Sequence, residues 1–247
     1  MASIPEGTFS MGSDEGQPDE KPVHQVHVAS FDLDVTEVTV AEYARCVTEG
    51  TCAPAALQVL WPGVTEAEHK LEDELCNGDR PDHQDHPVNC VDWSMASTYC
   101  AWSGKRLPTE EEWEYAAKGP NARRFPWGDA APSSDVLNGC GDECVDAMRA
   151  RGKSVQGLYR GSDKWPFTAP VARFAPGSFG LYDMAGNVWE WTASRYCPYD
   201  ASSCTDPRRV VRGGSWQVVD WNFVRTVDRE PYDPTTRNPQ VGFRCAR

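Results

Sequence analysis

The chain lacks any run of about eighteen apolar residues, so no membrane-crossing helix is expected. It is short of positive charge: 24 Lys and Arg stand against 37 Asp and Glu, a net charge of −13. Such a protein is repelled by polyanions, which argues against nucleic acid and anionic membranes as partners and favours cations. No phosphate-binding glycine loop and no hydrolase order of Ser, His and Asp is recognisable. Histidine is scarce, with only His24, His27, His69, His83 and His86. The stretch Asp82-His83-Gln84-Asp85-His86 could hold a transition metal in principle, but it has no third separate ligand. The ten cysteines include no Cys-x-x-Cys pair, which weakens a zinc-ribbon reading.

What is present fits one globular domain over residues 1–247, with 40% hydrophobic residues and ten tryptophans to fill a core or line a recognition surface. The cysteine count is even. Cys46/Cys52, Cys76/Cys90, Cys140/Cys144 and Cys197/Cys204 could each close a short loop, leaving Cys100 with Cys245 as a long-range staple. Spacing alone leaves the connectivity open. Disulfides of this density imply an oxidising compartment, so a secreted, periplasmic or cell-surface protein is expected. The opening Met1-Ala2-Ser3-Ile4 carries no signal peptide and reads as a start after a trimmed leader.

Residues 4–35 alternate apolar and polar positions between Gly and Pro and predict short strands. A helix is expected from the Thr39/Glu42 capping box to Gly50, a second from Ser94 to before Gly104, and a third from Thr109/Glu112 to Gly119. From Phe125 to Pro170 the chain is rich in Gly, Asp, Ser and Asn and reads as a long loop held by something. Strand-like runs return at 187–193, 208–216 and 240–246. The class is α+β with much irregular structure.

The densest motif runs from Gly180 to Trp191 (GLYDMAGNVWEW). Asp183 and Glu190 flank a turn that Gly186 permits. A hard cation such as calcium takes six to eight oxygens from carboxylates and carbonyls, and this turn could supply several. Asn138-Gly139 with Asp163 forms a second candidate cluster. The rival readings are a solvated acidic turn, or a carboxylate pair for acid–base work that lacks a visible partner.

IPEGTFSMGS, PVHQVHVASFDLDVTEVT, the stretch from His86 to Gly119, FPWGD, GSFGLYDMAGNVWEWT, VVRGGSW and NPQVGFRCAR occur in order along nearly the whole chain. In these the sequence resembles the formylglycine-generating enzyme, or sulfatase-modifying factor, family. The resemblance implies a C-type-lectin-like fold and two structural calcium ions. One would be held by Asp183, the Gly186 and Val188 carbonyls and Glu190. The other would be held by Asn138, the Gly139 carbonyl, Asp163 and the Trp165 carbonyl, across an insertion near Cys140–Tyr159. It also supports a Cys100–Cys245 bridge.

Active members of the family bind Cu(I) through two cysteines after the Gly-Gly-Ser-aromatic motif, and soft sulfur suits that ion. Here Gly213-Gly214-Ser215-Trp216 is followed by Val218 and Phe223 at those positions. No copper is therefore expected, and the enzymatic reading leans negative. The expectation is a monomeric binding module for a peptide, protein or glycan, with Trp216, Gln217, Val218, Asp220, Trp221 and Phe223 on its ligand surface. The alternatives are a different oxidative chemistry on the same family scaffold, or a variable ligand-binding protein of a diversity-generating retroelement. Arg212, Arg225, Arg229, Arg237 and Arg244 are expected to pair with the many carboxylates, weakly if exposed.

Overall fold

The structure is a computed structural model describing residues 1–247. Two short antiparallel ribbons open the chain. In the first, β1 (Ala2–Ile4) pairs with β4 (Phe31–Leu33); in the second, β2 (Gly7–Met11) pairs with β3 (His24–Val28). The remaining strands form one four-stranded sheet in the order β7-β6-β5-β8. Their ranges are β5 Trp189–Arg195, β6 Arg209–Arg212, β7 Glu230–Tyr232 and β8 Val241–Gly242. The pairing of β5 with β8 is parallel and the other two are antiparallel.

The expected helices form, with one shifted start. Thr39 and Thr109 cap α1 (Val40–Thr48) and α4 (Glu110–Lys118) with reciprocal bonds to Glu42 and Glu112, which satisfies backbone N–H groups that have no partner inside the helix. The middle helix, α3 (Trp93–Trp102), starts earlier than Ser94, because the Asp92 carboxylate accepts the Met95 N–H and is the true cap. Two helices were not expected. α2 (Glu66–Glu72) carries its own capping box at Thr65/Glu68. α5 (Asp142–Ala150) lies inside the stretch read as loop.

A core of 26 buried residues joins α1 and α3 to the faces of β5, β6 and β8. A second cluster of 11 packs β1, β4 and α4 around Trp113. Trp113, Trp191 and Trp216 are fully buried. At about 25 cal/mol per Å² a buried indole contributes on the order of 4–6 kcal/mol before conformational entropy is charged. All ten cysteines are bridged, as Cys46–Cys52, Cys76–Cys90, Cys100–Cys245, Cys140–Cys144 and Cys197–Cys204. The Cys100–Cys245 bridge ties α3 to the last strand region across 145 residues. No helix is long and apolar enough to cross a membrane.

Candidate functional site

Three loops meet beside the four-stranded sheet: the segment 183–190, the segment 138–165 and the Gly-Gly-Ser-Trp segment after β6. Backbone bonds weld them together. Gly186 N–H donates to the Gly213 carbonyl and Asn187 N–H to the Asn138 carbonyl, both at 2.9 Å. Trp216 N–H donates to the Asn187 carbonyl, also at 2.9 Å. Gly186 has a positive φ of 79°, and a Cβ there would overlap the Asn138 carbonyl oxygen. Only glycine meets both demands. The Asn187 amide completes the weld, accepting from Ala169 N–H and Asn138 Nδ2.

The first expected cation cluster contains a third carboxylate, Glu37, besides Asp183 and Glu190. Glu190 is buried, and its carboxylate accepts from Arg244 at 2.7 and 2.8 Å and from the Trp113 indole N–H at 2.8 Å. Asp183 accepts the Ala172 N–H at 2.7 Å. Glu37 sits against this group, fully buried, with neither carboxylate oxygen partnered. Burial first, then repulsion from Asp183, pushes the Glu37 carboxyl well above the usual range. Asp183 is raised too, chiefly by burial. Three carboxylates thus share the one guanidinium of Arg244, a deficit of two positive charges if all ionise. This composition fits a hard divalent ion. The carboxylate most in need of it is Glu37, since Glu190 is already met by Arg244.

In the second cluster, Asp163 accepts from the Tyr159 hydroxyl at 2.6 Å, from Gly139 N–H at 3.1 Å and from Trp165 N–H at 2.9 Å. Asn138 is fully buried, and its Oδ1 has no donor. Glu143, from α5, packs its carboxylate against Asp163. Burial, then this Glu143 contact, pushes Asp163 up to about 7. A buried amide oxygen left without a donor, in the same loop cluster as two facing carboxylates, is chemistry suited to a hard cation. Sequence reading named Asp183, Gly186, Val188, Glu190, Asn138, Gly139, Asp163 and Trp165; of these, Asp183 and Glu190 lie near enough for their charges to repel, and the Gly139 and Trp165 N–H groups both donate to Asp163. It missed Glu37 and Glu143, which come from outside both motifs.

The expected ligand surface needs correction. Trp216 is 1% exposed, packed edge-on to Phe167 among Leu75, Met148 and the Cys140–Cys144 bridge. Val218 is 8% exposed and belongs to the main core. Neither can meet a ligand without unfolding the loop; their apolar side chains win burial over display. Phe223 is half-buried, edge-on to Trp189. Asp220 caps the following turn, accepting the Asn222 N–H. Trp221 and Val219 are outward, 43% and 44% exposed, and the Trp221 indole N–H is anchored on the Leu158 carbonyl at 2.9 Å. Gln217 is partly exposed. Beyond Asn222 the surface opens into a polar cleft of about 380 Å³, lined by Arg123, Arg124, Asp129, Asn222, Arg225 and Thr226 among others.

The arginines from the end of β6 onward are not surface partners, as an exposed pairing would have them. Arg212, Arg229 and Arg244 are buried against Glu110 and Glu114, Glu110, and Glu190 respectively. Arg225 makes a bidentate pair with buried Glu20. Arg237 alone stays partly open, on Asp92. His86 is buried, with Nδ1 3.0 Å from the Thr168 hydroxyl and its ring tilted against that of His83 with centroids 4.1 Å apart. Burial, then the neighbouring His83, lowers it to about 4.

Small ribbons, one curled sheet and long welded loops define an α+β scaffold of the C-type-lectin-like kind. The chain belongs to the sulfatase-modifying factor enzyme 1-like domain family, whose model matches residues 1–247. It is similar to the formylglycine-generating enzyme of Streptomyces coelicolor, 34% identical over 98% of this chain and 87% of that protein. It is comparably similar to the inactive C-alpha-formylglycine-generating enzyme 2 of Bos taurus, at 33% identity over 100% of this chain and 87% of that one. Among solved structures, PvdO from Pseudomonas aeruginosa superposes with a TM-score of 0.72 at 29% identity, covering 99% and 92% of the two chains.

Proposed function

We propose that this chain is a non-catalytic, calcium-stabilised ligand-binding module of its family, working outside the cytoplasm. One observation carries the reading: all ten cysteines of the chain are in disulfides, so no free thiol is left, and by the motif resemblance Val218 and Phe223 would stand where the family's copper-binding cysteines fall. Carbon side chains cannot ligate Cu(I), and a disulfide sulfur is not the thiolate that ion selects. The similar bovine protein, described as inactive, is a family precedent for a retained scaffold without activity.

Calcium would be structural. It would neutralise the buried carboxylates and crosslink loops with too few apolar side chains to order themselves. Asp183, Glu190 and the Gly186 and Val188 carbonyls would hold one ion, and Asn138, Asp163 and the Gly139 and Trp165 carbonyls the other. Five disulfides suit an oxidising compartment. The ligand, a peptide, protein or glycan, would meet Gln217, Val219, Trp221 and the neighbouring polar cleft rather than buried Trp216. The protein would act as a monomer.

The test has two arms. Incubation of the chain with a cysteine-containing peptide, Cu(I) and oxygen should give no aldehyde by mass spectrometry. A peptide and glycan array should give saturable binding that Trp221→Ala weakens at least tenfold. Turnover to aldehyde refutes the module reading outright, as does turnover with another metal.

A further inference from the structure

The helix that interrupts the expected loop has a feature unrelated to the family motifs. α5 begins inside the Cys140–Cys144 bridge, whose two cysteines are four residues apart. Its first turn is clamped to the loop that carries Asp163. Asp142 N–H donates to the Gly161 carbonyl at 2.9 Å, Gly161 N–H returns to the Asp142 carboxylate at 3.0 Å, and Leu158 N–H reaches the Cys140 carbonyl at 2.7 Å. Gly141 caps the helix where a Cβ would press on the Gly161 carbonyl and the Glu143 carboxylate. The bridge and clamp together hold Glu143 toward Asp163.

The consequence is visible atom by atom. Glu143 Oε1 accepts the Asp163 N–H at 2.9 Å, while Oε2 is buried and has no partner. In the same loop cluster, one residue before the Gly139 that donates to Asp163, the Oδ1 of fully buried Asn138 also has no donor. The basic side chains of this helix end are committed elsewhere, Arg149 to Asp146 and Arg151 to Glu74. A buried carboxylate oxygen and a buried amide oxygen, both acceptors and both without donors, each call for a cation or a donor.

We infer that Glu143 is a further ligand to the calcium ion held by Asn138 and Asp163, contributed by the disulfide-closed helix that is inserted between them. The inference rests on the calcium reading above. It makes that site richer in carboxylate than its motif residues alone, with two in place of one, and charge count is what tunes affinity in oxygen sites. It also gives the Cys140–Cys144 bridge a purpose, since it fixes the first helical turn that presents the ligand.

The experiment is calorimetric titration of metal-stripped protein with CaCl2, comparing the wild-type chain with Glu143→Gln and Asp163→Asn. Glutamine keeps the size of the side chain and an oxygen to accept the Asp163 N–H, so the fold is retained. Wild type should bind two ions. Glu143→Gln should weaken one of them at least tenfold and leave the other unchanged, and the Tb(III) luminescence sensitised by nearby Trp165 should fall in parallel. Unchanged affinity at both sites in Glu143→Gln overturns the assignment of Glu143 alone. Loss of nothing in Asp163→Asn overturns the calcium site itself, and Glu143 with it.

Discussion

Arg244→Gln should be one of the most damaging single substitutions in this chain, and calcium should partly undo the damage. Arg244 is fully buried, bonded to Glu190 at 2.7 and 2.8 Å and to the carbonyls of Asp34, Val35, Tyr182 and Asp183 at 2.8–3.3 Å. It is the one cation among Glu37, Asp183 and Glu190. Removing one partner of a buried ion pair costs about 3–5 kcal/mol, because the surviving charges are left desolvated. For a domain of this size each kcal/mol moves the melting temperature by about 2–4 °C, so a drop of roughly 6–20 °C is expected in EDTA. The variant cluster has lost its only positive charge, so it should bind calcium more tightly than wild type does. At a calcium concentration of about 100 Kd the folded state gains about 2.7 kcal/mol. Thermal unfolding followed by circular dichroism, in EDTA and in saturating CaCl2, reads both effects. A loss below about 2 °C in EDTA, or equal calcium stabilisation of wild type and variant, refutes the charge argument.

Three further outcomes are expected. Val218→Cys with Phe223→Cys should give a chain that binds one Cu(I) at the restored sulfur pair, whereas wild type binds none; competition against a colorimetric Cu(I) chelator decides it. Native protein should take up no alkylating agent under denaturing conditions until reduced, and then ten equivalents, since every cysteine is bridged; intact mass counts them. His86 is held at about 4 against its usual 6.5, so the folded state favours its neutral form. Its contribution is complete above pH 6.5 and is lost as pH falls toward 4, on the order of 3 kcal/mol in all. Stability curves of wild type and His86→Gln should therefore converge over that range, and parallel curves would show that His86 does not titrate as argued.

Local signals were legible where the physics is local. The Thr39/Glu42 and Thr109/Glu112 boxes satisfy their own backbone donors within four residues, so the sequence announces them. Asp92 caps α3 by the same bond, yet Ser94 is an equally good capping residue two positions on, and only packing of Trp93 against the sheet decides between them. α5 escaped because its cap is a glycine with no side-chain bond and its stability comes from the Cys140–Cys144 bridge and the clamp to Gly161. Asp183 and Glu190 were readable as a pair because they lie seven residues apart on one turn. Glu37 and Glu143 were not, since each becomes a candidate only when the chain brings it beside Asp183 or Asp163.

The burial of Trp216 and Val218 bears on what this loop can present at its surface. The segment that follows β6 is fixed from both sides. Gly213 and Asn187 hold its backbone, and Arg212, one residue before Gly213, is anchored on Glu114 at 3.0 Å and Glu110 at 3.3 Å in the interior. Its path therefore owes nothing to a copper ion. Carbon side chains at 218 and 223 complete the core instead: Val218 joins the main cluster and Phe223 packs on Trp189. The apolar area they bury is stabilising at about 25 cal/mol per Å². What remains at the surface of this loop is the Val219 and Trp221 pair beside a polar cleft, which is where a ligand would have to be met.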